Sequence, residues 1–188
     1  MQARRVAGLA AAGMVVLLAG CGSRTPAPQL LRPAASGGLQ VNRYPQAGLT
    51  LGVPRTWTPV SVRLPLVALV TSGPAVISLW RYPLSGAQPG TPAQLREALG
   101  RLIAAARSRD HMLRLLGSST ATVAGLPAAE LETVQRIGRA IRQVRSTHIY
   151  GRGEELVLEE YAPVGLFSNL DRSVFAPVRR SLTPLGLH

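Results

Sequence analysis

Residues 113–162 decide the fold, and they run LRLLGSSTATVAGLPAAELETVQRIGRAIRQVRSTHIYGRGEELVLEEYA. The segment divides into four strand-like runs, 113–123, 128–137, 140–150 and 154–162. Apolar and β-branched side chains favour strands, and the glycine-containing turns between the runs are short. Consecutive strands with short connections pair in an antiparallel manner. The sequence therefore predicts an antiparallel meander over this half of the domain.

Shorter strand-like runs precede the meander. Two of them, 39–44 and 49–53, come first, and 66–71 and 75–82 form a hairpin around Ser72-Gly73-Pro74. Trp57 follows the second run in a turn, and we expect its indole to fold back onto the core. Trp80 is also expected in the core.

A helix is predicted between the two groups of strands. Thr91 is a suitable N-cap, and Pro92 suits the first helical position. The apolar residues that recur at helical spacing behind this cap are Leu95, Ala98, Leu99, Leu102, Ile103 and Ala106. A second helix is expected over 169–182, where Pro177 either kinks it or marks a fresh start near Ala176. This order predicts an α+β fold, an antiparallel sheet of about six or seven strands with helices packed on it.

The first residues have the layout of a bacterial lipoprotein signal peptide. A basic head at 1–5 is followed by an apolar run, 6–19, which is too short for a comfortable transmembrane helix. The run ends in Leu18-Ala19-Gly20-Cys21, which resembles the lipobox of signal peptidase II substrates. The pattern predicts cleavage between Gly20 and Cys21 and lipid, such as palmitate, on Cys21. The expected organisation is a signal peptide at 1–20, a lipidated flexible tether at 21–38, and a single domain at 39–188.

Composition limits the partners of this domain. All 21 basic residues are arginine and the formal net charge is +12, which reflects either coding bias or attraction to anionic lipid headgroups or cell-wall polymers. With Cys21 as the single cysteine, no intramolecular disulfide forms. The export signal argues against a nucleic-acid partner, and an aromatic content of 4% leaves little for base stacking.

Several motifs together resemble the PsbP-like (Mog/PsbP) family, which includes many bacterial lipoproteins, over residues 39–185. The motifs are Gly52-Val53-Pro54-Arg55-Thr56-Trp57, Ala124-Gly125-Leu126-Pro127-Ala128, Arg145-Ser146-Thr147-His148-Ile149-Tyr150 and the closing run 174–182. The resemblance implies an α/β/α sandwich and a non-enzymatic binding or accessory domain. Known members are extrinsic photosystem subunits or binders of a small GTPase. Neither role can be assigned to particular residues of this sequence.

Three residues are candidates for binding a ligand or partner: His148, Arg142 and Arg145. His148 lies mid-strand, and a hairpin about Gly151-Arg152-Gly153 brings it near a glutamate of the next strand, unless it is a plain structural histidine. Arg142 and Arg145 belong to an every-third-residue series that is either a solvated sheet edge or an anion-binding patch. The other members of the series are Arg136 and Arg139, and the glutamates are Glu154, Glu155, Glu159 and Glu160.

No catalytic residue, metal site or cofactor is predicted. The three histidines lack metal-binding spacing, and no Gly-x-Ser-x-Gly is present. The sequence favours a non-enzymatic binding or accessory module of the cell envelope, held to the outer face of the cell membrane, or to the outer membrane of a two-membrane cell, by lipid on Cys21. Its expected partner is an envelope protein or an anionic envelope component.

Two alternatives belong to other functional classes. An envelope hydrolase would show His148 with two carboxylates at the floor of a pocket. A small-molecule or lipid carrier would show a large, dry, apolar cavity between sheet and helix.

Overall fold

The computed structural model describes residues 32–185, and within this range the chain forms ten strands and three α-helices. The strands are β1 (Leu39–Tyr44), β2 (Leu49–Pro54), β3 (Thr58–Val60), β4 (Leu66–Ser72), β5 (Ala75–Pro83), β6 (Arg114–Val123), β7 (Leu126–Ile137), β8 (Ala140–Gly151), β9 (Glu154–Ala162) and β10 (Thr183–Pro184). The helices are α1 (Pro92–Arg109), α2 (Val164–Leu170) and α3 (Ala176–Ser181).

Seven strands form one antiparallel sheet in the order β3-β4-β5-β9-β8-β7-β6. The meander predicted over 113–162 is confirmed as its β6–β9 half, with strand ends that differ from the prediction by at most two residues. The 66–82 hairpin is confirmed as β4 and β5. The strand β3, Thr58–Val60, was not expected. It forms the edge of the sheet beside β4, a position that tolerates Pro59 because an edge strand needs fewer amide hydrogen bonds.

The first two strands belong to a separate three-stranded sheet, in the order β1-β2-β10. The two predicted strands are present, and they pair in an antiparallel manner, with Leu39 opposite Pro54 and Tyr44 opposite Leu49. The sequence did not predict β10, which is two residues long and pairs with β2. A segment this short carries no periodicity that a sequence pattern can reveal.

The main core lies between the large sheet and the C-terminal helices. Phe167 and Phe175 are fully buried there with a ring separation of 5.5 Å, and Trp57 meets Phe175 edge-on at 6.1 Å. The prediction for Trp57 is therefore confirmed. Trp80 is only half-buried and lies on the other face of the sheet, stacked on Tyr82, so placing it in the core was wrong.

Helix α1 packs on that other face, against β6 and β7, so helices cover both sides of the large sheet. Its start is set by a capping box: Thr91 Oγ1 accepts from the Gln94 amide, and Gln94 Oε1 accepts from the Thr91 amide. Leu95 and Ala98 are buried, whereas Leu102 and Ala106 are half-exposed. The first half of α1 is thus packed more closely than the second.

The C-terminal helical segment starts at Val164, five residues before the expected 169. The Leu166 and Phe167 amides donate to the Pro163 carbonyl, which begins the helix. Residues 171–175 form a π-helical turn, in which the Ala176 amide donates to the Asp171 carbonyl. The chain then resumes as α3 at Ala176, one of the two outcomes expected at Pro177, which has no amide proton to continue the ladder.

Three hydrogen bonds fix the end of the expected tether to the domain. The Trp57 indole donates to the Ala34 carbonyl at 3.0 Å, the Ala34 amide donates to Ser72 Oγ at 2.8 Å, and Thr56 donates to the Ala35 carbonyl. A flexible tether up to residue 38 therefore does not describe residues 34 and 35. The predicted signal peptide, Gly20, Cys21 and the tether up to residue 31 lie outside the described residues.

Candidate functional site

His148 lies in β8, on the face of the large sheet that α1 covers. Its neighbour across the strand pair is Val157 of β9, which places Glu155 and Glu159 on either side as the diagonal neighbours on the same face. His148 Nδ1 lies 2.7 Å from Glu155 Oε1. The expected contact between His148 and a glutamate of the next strand is therefore present.

The other ring nitrogen of His148 also has a partner. Nε2 lies 2.9 Å from the hydroxyl oxygen of Ser146, two residues earlier on the same strand face. A carboxylate only accepts hydrogen bonds, so Nδ1 donates to Glu155, and Nε2 of a neutral ring then accepts from the Ser146 hydroxyl. Ser146, His148 and Glu155 thus form one hydrogen-bonded chain, which we name the Ser146 relay.

The Ser146 relay borders a cavity beneath the loosely packed half of α1. The cavity has a volume of about 230 Å³, is open to solvent on one side, and includes Ser146 and His148 in its wall. Its remaining walls come from α1, β7, β8 and β9. They are Leu102, Ala106, Arg109, Asp110, Leu131, Thr133, Gln135, Arg136, Val144 and Glu159.

Charges of both signs surround this cavity. Asp110 ties the end of α1 to β7 by accepting from the Arg136 and Met112 amides, and these bonds hold the pKa of Asp110 below its usual range. Glu159 lies directly opposite Ser146 across the strand pair. Burial raises the pKa of Glu159 above its usual range, against the opposing effect of His148.

Tyr150 continues the same strand face beyond His148. It is buried, and it lies opposite Glu155 in the strand pairing. Burial, reinforced by the negative charge of Glu155, raises the pKa of the Tyr150 phenol. Tyr150 therefore stays neutral at physiological pH, and it lies beside Glu155 at one end of the Ser146 relay.

The three predicted binding residues do not form one site. Arg145 points to the opposite face of the sheet, where Nη2 lies 2.6 Å from Glu132 Oε2, a second nitrogen contacts Asp171, and the guanidinium lies over the Phe167 ring at 5.5 Å. Arg142 shares the strand face of His148 but lies six residues away, paired with Gln135, and is not among the residues that line the cavity.

Arg145 belongs to a charged cluster, which we name the Arg145 network, whose members are Glu132, Arg145, Glu160, Asp171 and Arg179. Arg179 bridges Glu160 and Asp171, with Nη2 2.9 Å from Asp171 Oδ1. Glu160 is fully buried, and its Oε1 has no hydrogen-bond partner among residues 32–185. Burial outweighs the attraction of Arg179 and raises the pKa of Glu160 to about 8. A neutral Glu160 leaves two guanidinium groups balanced by two carboxylates.

Sequence reasoning missed Ser146 and the cavity. The signal available for Ser146 was its spacing of two from His148, which puts both side chains on one face of a strand. Which carboxylate faces His148 depends on the β8–β9 register. The Arg152-Gly153 turn sets that register, with φ of 55° and 74° at its two residues. Within residues 32–185, no three His, Cys, Asp or Glu side chains are grouped to hold a metal ion.

Comparison with known proteins finds matches among solved structures only; no family model and no curated protein matches the chain. Cyanobacterial PsbP (CyanoP) from Synechocystis sp. PCC 6803 superimposes with a TM-score of 0.60 at 14% identity, covering 79% of this chain and 93% of that one. The fold is PsbP-like. The α+β prediction and the resemblance to PsbP-like domains are confirmed at the level of fold.

Two further structures share this PsbP-like fold. LpqN of Mycobacterium tuberculosis, described as involved in cell envelope biogenesis, gives a TM-score of 0.58 at 16% identity over 79% of this chain and 91% of that one. PA94 of Pseudomonas aeruginosa, a protein of unknown function, gives 0.52 at 15% identity over 80% and 99%. None of these three is described as an enzyme. No helix within residues 32–185 is long and apolar enough to cross a bilayer.

Proposed function

We propose that this chain is an exported, lipid-anchored domain that binds a component of the cell envelope in the cavity beside His148. The observation that carries this proposal is the cavity itself, which is half-open and contains paired polar groups on a PsbP-like domain. Export and the anchor are supported by the lipobox-like Leu18-Ala19-Gly20-Cys21. The fold shared with LpqN, a protein of envelope biogenesis, supports the compartment.

The cavity favours a short, polar-ended group as its occupant. Its volume of about 230 Å³ is below the roughly 300–1,000 Å³ of pockets that enclose a drug-sized ligand. Arg109 and Arg136 line it together with Asp110 and Glu159, so a polar end that both donates and accepts hydrogen bonds would be favoured. A lipid carrier needs a dry, apolar cavity, whereas polar and charged residues line this one. The binding of an envelope component is therefore favoured over lipid carriage.

Site-specific photocrosslinking in cells tests the binding proposal. We expect p-benzoylphenylalanine in place of Leu102, on the cavity wall, to give a discrete light-dependent adduct with an envelope component. The matched control carries the same group in place of Val41, which is 66% exposed on the three-stranded sheet. Adducts that are equal at both positions, or absent from both, would contradict binding at the cavity.

Metabolic labelling tests the anchor separately. Cells fed an alkyne analogue of palmitate should label the wild-type chain, which should fractionate with membranes. Cys21→Ala removes the thiol that accepts the lipid, so this variant should be unlabelled and should leave the membrane fraction. Equal labelling of both chains would contradict lipidation at Cys21.

A further inference from the structure

We propose that Ser146 is the nucleophile of an acyl-transfer site that cleaves esters of short carboxylic acids. His148 acts as its general base and acid, and Glu155 as the residue that positions His148. The proposal rests on the proposed function for its natural substrate, which would be an ester-bearing envelope component. It goes beyond binding, because it assigns a covalent step to the same cavity.

The Ser146 relay has the atom order that serine acyl-transfer sites need. The hydroxyl oxygen of Ser146 lies 2.9 Å from Nε2, and Nδ1 lies 2.7 Å from the Glu155 carboxylate. Both distances are within hydrogen-bond range, and each ring nitrogen has the partner that its role requires. Such a constellation is recognised by its geometry and not by the order of its residues along the chain.

The scaffold holds these three groups rigidly. Ser146 and His148 are two residues apart in β8 and therefore lie on the same face of the strand. β8 is hydrogen-bonded to β7 on one side and to β9 on the other. Glu155 follows the two-residue turn between β8 and β9, and its side chain is 20% exposed. Side chains on paired interior strands keep their separations more closely than side chains on loops do, which favours catalysis by positioning.

The cavity supplies room for an acyl group beside Ser146. Leu102, Leu131 and Val144 provide apolar wall, and the volume of about 230 Å³ suits an acyl chain of a few carbons. The side chains in the same wall that can donate hydrogen bonds include Arg109, Thr133 and Gln135. Donors of this kind stabilise the negative oxygen that develops when a carbonyl is attacked.

The reaction balances without any co-reactant except water. The Ser146 oxygen bonds to the carbonyl carbon while His148 Nε2 takes the hydroxyl proton, and the carbonyl electron pair moves to oxygen. The bond to the alkoxy oxygen then breaks, and His148 returns the proton to the departing alcohol. Water attacks the acyl-serine with its proton going to His148. Collapse of this second intermediate reprotonates Ser146 and releases the carboxylic acid.

Covalent labelling of the purified full-length chain in detergent tests this proposal. A fluorophosphonate should form one adduct, with an oxygen–phosphorus bond made at Ser146 and fluoride released. Peptide mass spectrometry should locate it there. Ser146→Ala should lose the adduct completely, whereas Ser119→Ala, an exposed serine on β6, should label like the wild type. An adduct that persists in Ser146→Ala, or no adduct on the folded wild type, would overturn the proposal.

The positioning role of Glu155 needs its own readout. Glu155→Gln should slow labelling by about tenfold or more, because the ring loses the charge that fixes its orientation and stabilises its protonated form. Glu155→Asp should restore part of the rate. The midpoint of thermal unfolding, measured on the same samples, should change far less than the rate. A rate that follows the fraction of folded protein would reduce Glu155 to a structural residue and overturn its assignment.

The two proposals fail in different ways. A light-dependent adduct at Leu102 with no fluorophosphonate adduct at Ser146 leaves binding in place and removes the acyl-transfer chemistry. An adduct at Ser146 with no envelope adduct at Leu102 supports the chemistry and removes the proposed envelope ligand.

Discussion

Raising the pH from 6 to 9 should destabilise the domain through Glu160. The side chain is fully buried against Arg179, and burial raises its pKa to about 8 in the folded state, from 4.5 in an exposed glutamate. Folded protein therefore binds more protons than unfolded protein between these two pKa values. The free energy of unfolding falls with rising pH wherever the folded state binds more protons. The protonated Glu160 thus stabilises the fold fully at low pH, and this contribution is lost as the pH rises through about 8.

The size of the effect follows from the two pKa values. In the pH range where the unfolded glutamate is ionised and folded Glu160 is protonated, the free energy of unfolding falls with rising pH. The decrease is about 1.4 kcal/mol for each pH unit. Between pH 6 and 9, the unfolded glutamate stays ionised while folded Glu160 passes through its own titration. The expected loss assigned to Glu160 is therefore about 2–3 kcal/mol over this interval.

Glu160→Gln isolates this contribution, because glutamine has nearly the same size, still accepts a hydrogen bond from Arg179 and does not titrate. Urea unfolding of both proteins at pH 6, 7, 8 and 9 should show the wild type losing about 2–3 kcal/mol relative to the variant. Parallel profiles would contradict a raised pKa of Glu160 in the folded protein. They would mean that Glu160 is already ionised at pH 6 and that Arg179 and Arg145 outweigh its burial.

Three further substitutions test the fold. Phe175→Ala empties a fully buried site between Trp57 and Phe167 and should cost about 3–5 kcal/mol in urea unfolding, so a loss below about 1 kcal/mol would contradict close packing of the Phe175 ring. Thr91→Ala breaks the capping box of α1 and should cost about 1 kcal/mol by the same assay; no loss would mean that the cap is not formed in solution. Trp57→Phe removes the indole donor to Ala34 and should speed proteolysis of the segment before β1, which an unchanged cleavage rate would contradict.

Much of the fold was predictable because its signals are local. The meander has glycine at each turn and apolar strands of 9 to 12 residues, and α1 has both a cap and a periodic stripe. The start of α2 was not predictable from such signals. Gly165 and Ser168 favour a helix weakly, and the burial of Phe167 and Leu170 by the sheet overrides that weakness.

The candidate site was predictable only in part. The turn between β8 and β9 implies that His148 meets a glutamate. Which glutamate it meets depends on the strand register, and a shift of one residue would turn the side chains to the opposite face. The ion-pair partners of Arg145 could not be identified from the charges near it in the sequence. The neighbouring arginines in the sequence were compatible with an anion-binding patch. In the structure Arg145 is instead paired with Glu132 and Asp171, which lie 13 and 26 residues away in the chain.

The tautomer of His148 in solution provides the most direct test of the Ser146 relay. Long-range ¹H–¹⁵N correlation spectra, with the signals assigned by comparison with His148→Gln, show which ring nitrogen carries the proton when the imidazole is neutral. The acyl-transfer proposal requires Nδ1 to face Glu155 and Nε2 to face Ser146, as the 2.7 Å and 2.9 Å contacts indicate. We therefore predict the Nδ1–H form in the wild type and a change of that signal in Glu155→Gln. A predominant Nε2–H form that Glu155→Gln leaves unchanged would contradict the Ser146 relay.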